Sequence, residues 1–396
     1  MNQPWKAYQA VYVHIPFCVQ KCLYCDFASY ANCSEKIKTQ YVNALCQEIA
    51  RPLSLPIAPC ATIYFGGGTP STLSLAQLET IVKALKKQGL WQQPQEATIE
   101  VNPGTVDKAK LLGLKELGFT RISMGVQSLN DAELHAIGRI HTAKEALEAL
   151  QLAKEAGFTH LNADLIYGLP QQTLSSLEQT LTQLTAMPID HLSVYGLIVE
   201  ENTPLESLLD KGQLTLPDEE TAADMYDFVQ SFLRRQGFTR YEISNYYRTE
   251  GRGYSRHNDV YWHYYPYAAF GASAASFDGS QRLTRPAAIA DYINWVKTSA
   301  IKTNSPAKAR EQDDICIIEN LSQQELLSEF MLMGLRRTEG ANLLEVQERY
   351  GINVLEKYNQ QLTPFFIQKL LEYTNGHLRL TEAGMAVGNQ IFEVFV

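Results

Sequence analysis

The chain has little that would tie it to a membrane, to a nucleic acid or to the outside of the cell. None of its 396 residues falls in a run approaching the roughly 20 consecutive apolar residues of a spanning helix, which excludes an integral helical membrane protein. The opening Met-Asn-Gln-Pro-Trp-Lys lacks the apolar core of a signal peptide, so the sequence predicts a cytoplasmic protein. Positive charge is in deficit, with 34 Lys and Arg against 43 Asp and Glu and a net charge of −9. Such a surface does not attract phosphate backbones or anionic lipid, and no nucleic-acid partner is expected. Cysteines number seven, and an odd count without an export signal argues against a disulfide framework. Low-complexity segments are missing. At 45% apolar and 19% charged residues the composition is that of an ordinary globular protein, long enough for two or three domains.

What the first 200 residues do contain is one theme, repeated. Short apolar runs at Val11–Ile15, Ala61–Phe65, Thr98–Val101, Arg121–Val126, His160–Tyr167 and His191–Leu197 each precede a helical stretch. Strands alternating with helices imply parallel pairing and right-handed crossovers. Six such units, with Arg240–Ile243 as a further strand, suit an α/β fold built as a full or partial (β/α) barrel; a doubly wound open sheet is the competing architecture. Either would place a ligand at the carboxyl ends of the strands. From residue 241 to about 285 the rhythm breaks and aromatics crowd in. From about Asp314 the pattern is mainly helical: helices are expected at Leu321–Arg336, Leu343–Tyr350, Thr363–Glu372 and Glu382–Val394, with a short strand at His377–Leu380. The reading is thus a barrel over 1–240, an aromatic-rich extension and linker over 241–310 with the linker at Lys302–Ala309, and a helical or winged-helix-like domain over 311–396.

Three of the cysteines sit together. Cys18, Cys22 and Cys25 follow the first strand with the spacing Cys-x3-Cys-x2-Cys. Three thiolates on one tight loop can each bind one iron of a [4Fe–4S] cube, leaving the fourth iron open. An open iron can chelate the amino and carboxylate groups of S-adenosylmethionine (SAM), and the cluster can pass one electron to the sulfonium to release a 5′-deoxyadenosyl radical. The plainer alternative is a zinc site of three thiolates plus His14. The other four cysteines read as small buried hydrophobes.

Later strand ends carry polar groups where an apolar strand has no use for them. Phe65-Gly66-Gly67-Gly68-Thr69-Pro70 closes the second strand, and three glycines let backbone approach a ligand, with free N–H and C=O groups on offer. Glu100, Gln127 and Asp164 each interrupt an apolar run. A buried carboxylate requires a ligand or a salt bridge. Arg139 is placed to clamp the methionyl carboxylate of SAM in bidentate fashion; an internal Arg139–Asp164 salt bridge without a ligand is the alternative.

Together, His-x-Pro-Phe-Cys-x3-Cys-x-Tyr-Cys, Gly-Gly-Gly-Thr-Pro, Glu-x-Asn-Pro, Gly-x-Gln-Ser and Asp-Leu-Ile-Tyr-Gly-Leu-Pro resemble the radical SAM coproporphyrinogen dehydrogenase family, from about residue 10 to the C-terminus. Within it the chain is more similar to the haem-chaperone branch than to the oxygen-independent coproporphyrinogen III oxidases. The oxidases carry a further cysteine where this chain has Phe27, and a longer extension before the first strand. The resemblance implies a partial six-unit barrel, a [4Fe–4S] cluster on Cys18, Cys22 and Cys25, and SAM lined by Tyr12, Tyr24, Gly67, Gly68, Thr69, Glu100, Gln127, Arg139 and Asp164. It implies haem as cargo, delivered to apo-proteins of which some are membrane-associated. The competing activity is oxidative decarboxylation of coproporphyrinogen III.

Arg256-His257-Asn258-Asp259-Val260-Tyr261-Trp262 resembles the His-Asn-x-x-Tyr-Trp motif of the haem-chaperone branch, and residues 241–267 hold eight of the chain's 21 tyrosines. His257 suits an axial iron ligand and the aromatics suit a porphyrin face. A core cluster in which His257 hydrogen-bonds its neighbours is the alternative. The following Ala268–Ala275 segment is poorer in glycine than the family's usual stretch.

Overall fold

A computed structural model describes residues 3–251, 253–302 and 316–396. The six sequence units each form as expected. The strands are β1 (Tyr8–Ile15), β2 (Ile57–Gly67), β3 (Ala97–Val101), β4 (Arg121–Gln127), β5 (His160–Tyr167) and β6 (His191–Gly196), and they pair side by side in parallel. Most of their positions are buried on both faces, which is why the sequence reads as apolar runs rather than as an alternation.

The crossover helices are fixed at their starts by side-chain caps. Ser34 opens α1 (Glu35–Ile49), Ser74 opens α2 (Leu75–Lys87), and Thr142 opens α4 (Ala143–Glu155), the last two with reciprocal capping boxes. Asp107 opens α3 (Lys108–Leu117) and Thr173 opens α5 (Leu174–Ala186). One core joins both layers, from Val11, Ile63 and Ile122 on the strands to Leu45, Leu78 and Leu150 on the helices.

The sheet extends beyond the six units at both margins and does not close. Its strands run in one linear order of 12, so the barrel is partial. Arg240–Ile243 is not a further parallel strand. The chain there makes an antiparallel hairpin of β7 (Phe238–Arg240) and β8 (Asn245–Arg248), with β8 antiparallel to β6. The reason is local: the Arg240 guanidinium folds back onto the Glu242 and Ile243 carbonyls at 3.1 and 2.8 Å and fixes the turn. At the other margin β9 (Tyr267–Phe270) lies parallel to β1, followed by antiparallel β10 (Ala275–Phe277), β11 (Gln281–Thr284) and β12 (Ile317–Asn320). The aromatic segment therefore feeds a strand into the same sheet.

The C-terminal part has its own core around Phe330, Met331, Leu335, Val346 and Leu378, onto which Tyr264 and Phe277 pack. Helices Gln323–Arg336 and Leu343–Tyr350 and the strand His377–Leu380 form as expected. The helix expected at Thr363–Glu372 runs instead over Asn359–Ile367. Lys369, at φ 57°, then reverses the chain into a strand, Leu371–Thr374, that pairs with His377–Leu380. The helix expected over Glu382–Val394 is two short ones, Glu382–Ala386 and Gly388–Phe392, parted at Val387. Apart from Lys302, the linker expected at 302–309 lies outside the described residues. Among the described residues no helix is long and apolar enough to cross a membrane.

Candidate cofactor site

Five strands and two loops converge on a cavity of about 420 Å³ at the carboxyl end of the parallel sheet. Cys18, Cys22 and Cys25 line it together with Tyr24, Gly67, Gly68, Thr69, Glu100, Gln127, Arg139 and Asp164. Residues more than 140 positions apart in sequence thus meet at one place because each follows, or ends, a neighbouring parallel strand.

The cysteine loop is held at both ends. Phe17–Cys18 pairs in parallel with Tyr30–Ala31, closing the loop between them, and the Tyr30 N–H donates to the Pro16 carbonyl at 2.7 Å. The glycine loop is tied directly to it. The Gly68 N–H donates to the Ile15 carbonyl at 2.9 Å and the Thr69 N–H to the Phe17 carbonyl at 2.7 Å. The Gly67 N–H goes to Glu100 Oε2 at 3.1 Å. These three N–H groups, expected to be free for a ligand, are therefore spent inside the protein, and the glycines serve close packing instead. Gly67 has φ +114°, and a Cβ there would lie 2.6 Å from the His14 ring; one on Gly68 would lie 2.8 Å from the Phe17 carbonyl and 3.0 Å from Cys18 Sγ.

Electrostatically the wall is a cation among soft and acidic groups. Arg139 Nη1 donates to Cys22 Sγ at 3.4 Å, and Nη2 donates to Asn102 Oδ1 at 2.8 Å and to the Gly125 carbonyl. Its Nε is buried with no hydrogen-bond partner. The Arg139–Asp164 salt bridge is not formed. Asp164 instead accepts from Asn162 Nδ2 at 2.7 Å and Ser123 Oγ at 3.2 Å, and burial still holds its pKa above the usual carboxylate range. Glu100 accepts from the Tyr64 hydroxyl at 2.8 Å, and burial pushes its pKa up to about 8. Burial likewise raises the thiols of Cys18 and Cys25, so their thiolates need a cation beside them. Gln127 sits at the irregularity in the β4–β5 pairing with φ 67°, a conformation that costs a non-glycine residue on the order of 1–3 kcal/mol and that aims a buried amide into the cavity.

These residues suit a [4Fe–4S] cluster with SAM: three thiols on one wall, an unpaired buried guanidinium nitrogen, two carboxylates and a wall without side chains. Among the described residues no three His, Cys, Asp or Glu side chains gather round a point as ligands of one ion. A cube does not ask for that, since each thiolate binds a separate iron. The zinc alternative needed His14, whose ring is taken. Its Nε2–H donates to the Ala28 carbonyl at 3.0 Å and Nδ1 accepts from the Tyr12 hydroxyl at 3.1 Å.

Two expected site residues lie elsewhere. Tyr12 stands behind the wall, its ring stacked 6.2 Å from Tyr64, and supports Glu100 only through that residue. His257 is 1% exposed and does not itself line the cavity, although Ser255, Asn258 and Tyr64 beside it do. Its ring nitrogens meet Thr62 Oγ1 and the Tyr261 hydroxyl, both at 2.9 Å, and burial lowers its pKa to about 3. As placed it is the core histidine of the plainer alternative, with no ring nitrogen left for iron. Sequence reasoning overlooked Asn102, which donates to Thr69 Oγ1 at 2.9 Å while accepting from Arg139. Its signal lay in the Glu-x-Asn-Pro motif at a strand end. It also overlooked Asn162, Ser123 and Ser193, which hold Asp164 from the middle of apolar strands.

Comparison with known proteins agrees with this geometry. The Radical SAM superfamily model matches residues 12–184, and the HemN C-terminal domain model matches residues 321–387. A relative from Bacillus subtilis, "Heme chaperone HemW", is 33% identical over 98% of this chain and 99% of its own length. The protein of the same name from Lactococcus lactis is 32% identical over 98% and 97%. The mouse "Radical S-adenosyl methionine domain-containing protein 1, mitochondrial" is 34% identical over 84% and 74%. In structure the chain is similar to coproporphyrinogen III oxidase (HemN) of Escherichia coli, with a TM-score of 0.81 and 22% identity over 99% of this chain and 90% of that one, which shows the shared fold. By full-length identity to named relatives, the chain belongs to the HemW family of radical SAM proteins, whose cofactors are a [4Fe–4S] cluster and S-adenosylmethionine.

Proposed function

We propose that the protein is a haem chaperone, which binds haem and passes it to haem-accepting apo-proteins in the cytoplasm or at a membrane. The observation that carries this reading is end-to-end identity to relatives named heme chaperones, over 98% of this chain. Phe27, where the oxidases have a cysteine, supports it; that side chain is 63% exposed at the cavity rim.

In this reading Cys18, Cys22 and Cys25 hold the cluster. When bound, the pair of cofactors supplies one-electron chemistry at the SAM sulfonium. Arg139 offers Nε and a reorganised Nη pair to the methionyl carboxylate. Glu100 and Asp164 take the amine and the ribose hydroxyls, while Gln127, Tyr24 and the Gly67–Thr69 wall shape the remaining space. Tyr12 positions Tyr64 and hence Glu100.

The test is parallel anaerobic assay of the reconstituted protein. The account expects stoichiometric haem binding, haem transfer to an apo-cytochrome and no consumption of coproporphyrinogen III. Turnover of coproporphyrinogen with release of methionine would assign the oxidase activity instead.

A further inference from the structure

A buried carboxylate behind the cluster cavity ties three of its walls together. Glu133, on the short helix Asp131–Ala136, is 1% exposed and does not itself line the cavity. Among the described residues no cation pairs with it, and its partners are neutral donors. Glu133 Oε2 accepts from Ser128 Oγ at 2.5 Å and from Gln172 Nε2 at 3.1 Å, and Oε1 accepts from Ser176 Oγ at 2.5 Å. A carboxylate buried on neutral donors is costly unless every one of them holds, so the segments that supply them are locked to one another. Ser128 immediately follows Gln127. The Ser128 N–H donates to the Val126 carbonyl at 2.9 Å, so the chain turns sharply at Gln127, where φ is 67°. His141 Nε2–H donates to the same carbonyl at 3.1 Å. Gln172 comes from the loop after β5, the strand that carries Asp164, and its amide also donates to the Ile166 carbonyl at 3.3 Å. The helix that bears Glu133 leads into Arg139, whose N–H donates to the Leu134 carbonyl at 2.9 Å.

We propose that Glu133 is a positioning residue for SAM and acts through Gln127. This role rests on the placement of SAM beside Gln127 proposed above. A non-glycine residue stays in the left-handed region only when its neighbours over-determine it. On one side of Gln127 the Val126 carbonyl is held by His141, and on the other the Ser128 hydroxyl is held by Glu133. Freeing Ser128 lets the turn open and takes the Gln127 amide away from the cavity, although Glu133 touches no cofactor. A carboxylate suits the task better than an amide of the same size. Its two oxygens accept from all three donors, whereas a glutamine has one acceptor oxygen and sets an N–H₂ group against the remaining donors.

The experiment measures SAM affinity by anaerobic calorimetry on the full-length, reconstituted protein, for wild type, Glu133→Gln, Gln127→Ala and the double variant. Iron content and far-ultraviolet circular dichroism check the fold. The expected result for Glu133→Gln is an affinity about tenfold lower, with iron content as in wild type and a weakened SAM-induced shift of the cluster's electron paramagnetic resonance g-values. In the Gln127→Ala background the same substitution should cost about twofold or less, because its effect passes through Gln127. Ser128→Ala removes the linking hydroxyl and should lower affinity by a similar factor; it takes the place of Glu133→Gln in the cycle if that variant loses its cluster. Wild-type affinity in these variants, or a loss repeated in full without the Gln127 side chain, would overturn the positioning role and leave the SAM site standing. Failure of the wild type to bind SAM would overturn both.

Discussion

At the scale of the residue, the cluster cavity is a set of groups that are costly to bury alone. A guanidinium with an unpaired Nε and carboxyls raised by burial together describe a place awaiting a charged ligand. Cys22→Ala should remove the brown visible absorbance and the bound iron of reconstituted protein; retained iron would refute the ligand assignment. Arg139→Ala should weaken SAM binding by about tenfold or more, since a charge-assisted hydrogen bond contributes about 1.5–3 kcal/mol. Unchanged affinity by calorimetry would place the carboxylate clamp elsewhere. Burial pushes the Glu100 pKa up to about 8, so it holds its proton more tightly in the fold than in the unfolded chain, where a glutamate carboxyl ionises near 4.5. Its contribution to stability is full below about pH 4.5, falls as pH rises, and is lost above about pH 8. Glu100→Gln should flatten that slope in urea-unfolding curves of the cofactor-free protein. An equal slope in both proteins would show that Glu100 does not carry it.

At the scale of the element, the strands and helices of the barrel were plain in the sequence because both faces of a parallel strand are buried and each helix announces its cap. What could not be read was whatever depends on pairing at a distance. Arg240–Ile243 has strand-like residues, yet the Arg240 side chain closes a hairpin there. Thr363–Glu372 has helical spacing, but Lys369 turns left-handed so that Leu371 can pair with Leu380. The glycine loop does line the cavity, but its N–H groups are not free as expected: those of Gly68 and Thr69 brace the cysteine loop and that of Gly67 goes to Glu100. That bracing makes a prediction of its own. Gly68→Ala places a methyl against the Phe17 carbonyl and Cys18 Sγ, so it should lower cluster occupancy several-fold while far-ultraviolet circular dichroism stays as in wild type. Full occupancy would show that the close approach is dispensable.

At the scale of the whole molecule, the site residues were legible where they interrupt apolar strands and illegible where partners come from remote segments. Glu100, Gln127 and Asp164 do converge with the cysteines, as their places on successive strands require, and Arg139 joins them from the loop between helices Asp131–Ala136 and Ala143–Glu155. His257 reads in sequence as a ligand because its buried partners, Thr62 in the middle of β2 and Tyr261 one turn on in the helix Arg256–Trp262, are invisible without the fold.

The proposed site turns on one cavity that brings the three cysteines together with the polar wall proposed to bind SAM. Electron paramagnetic resonance of the dithionite-reduced, anaerobically reconstituted protein, recorded with and without SAM, tests it most directly. The account predicts a [4Fe–4S]⁺ signal whose g-values shift when SAM is added, with the shift diminished in Arg139→Ala. A cluster signal indifferent to saturating SAM, or zinc without iron on the three cysteines, would contradict it.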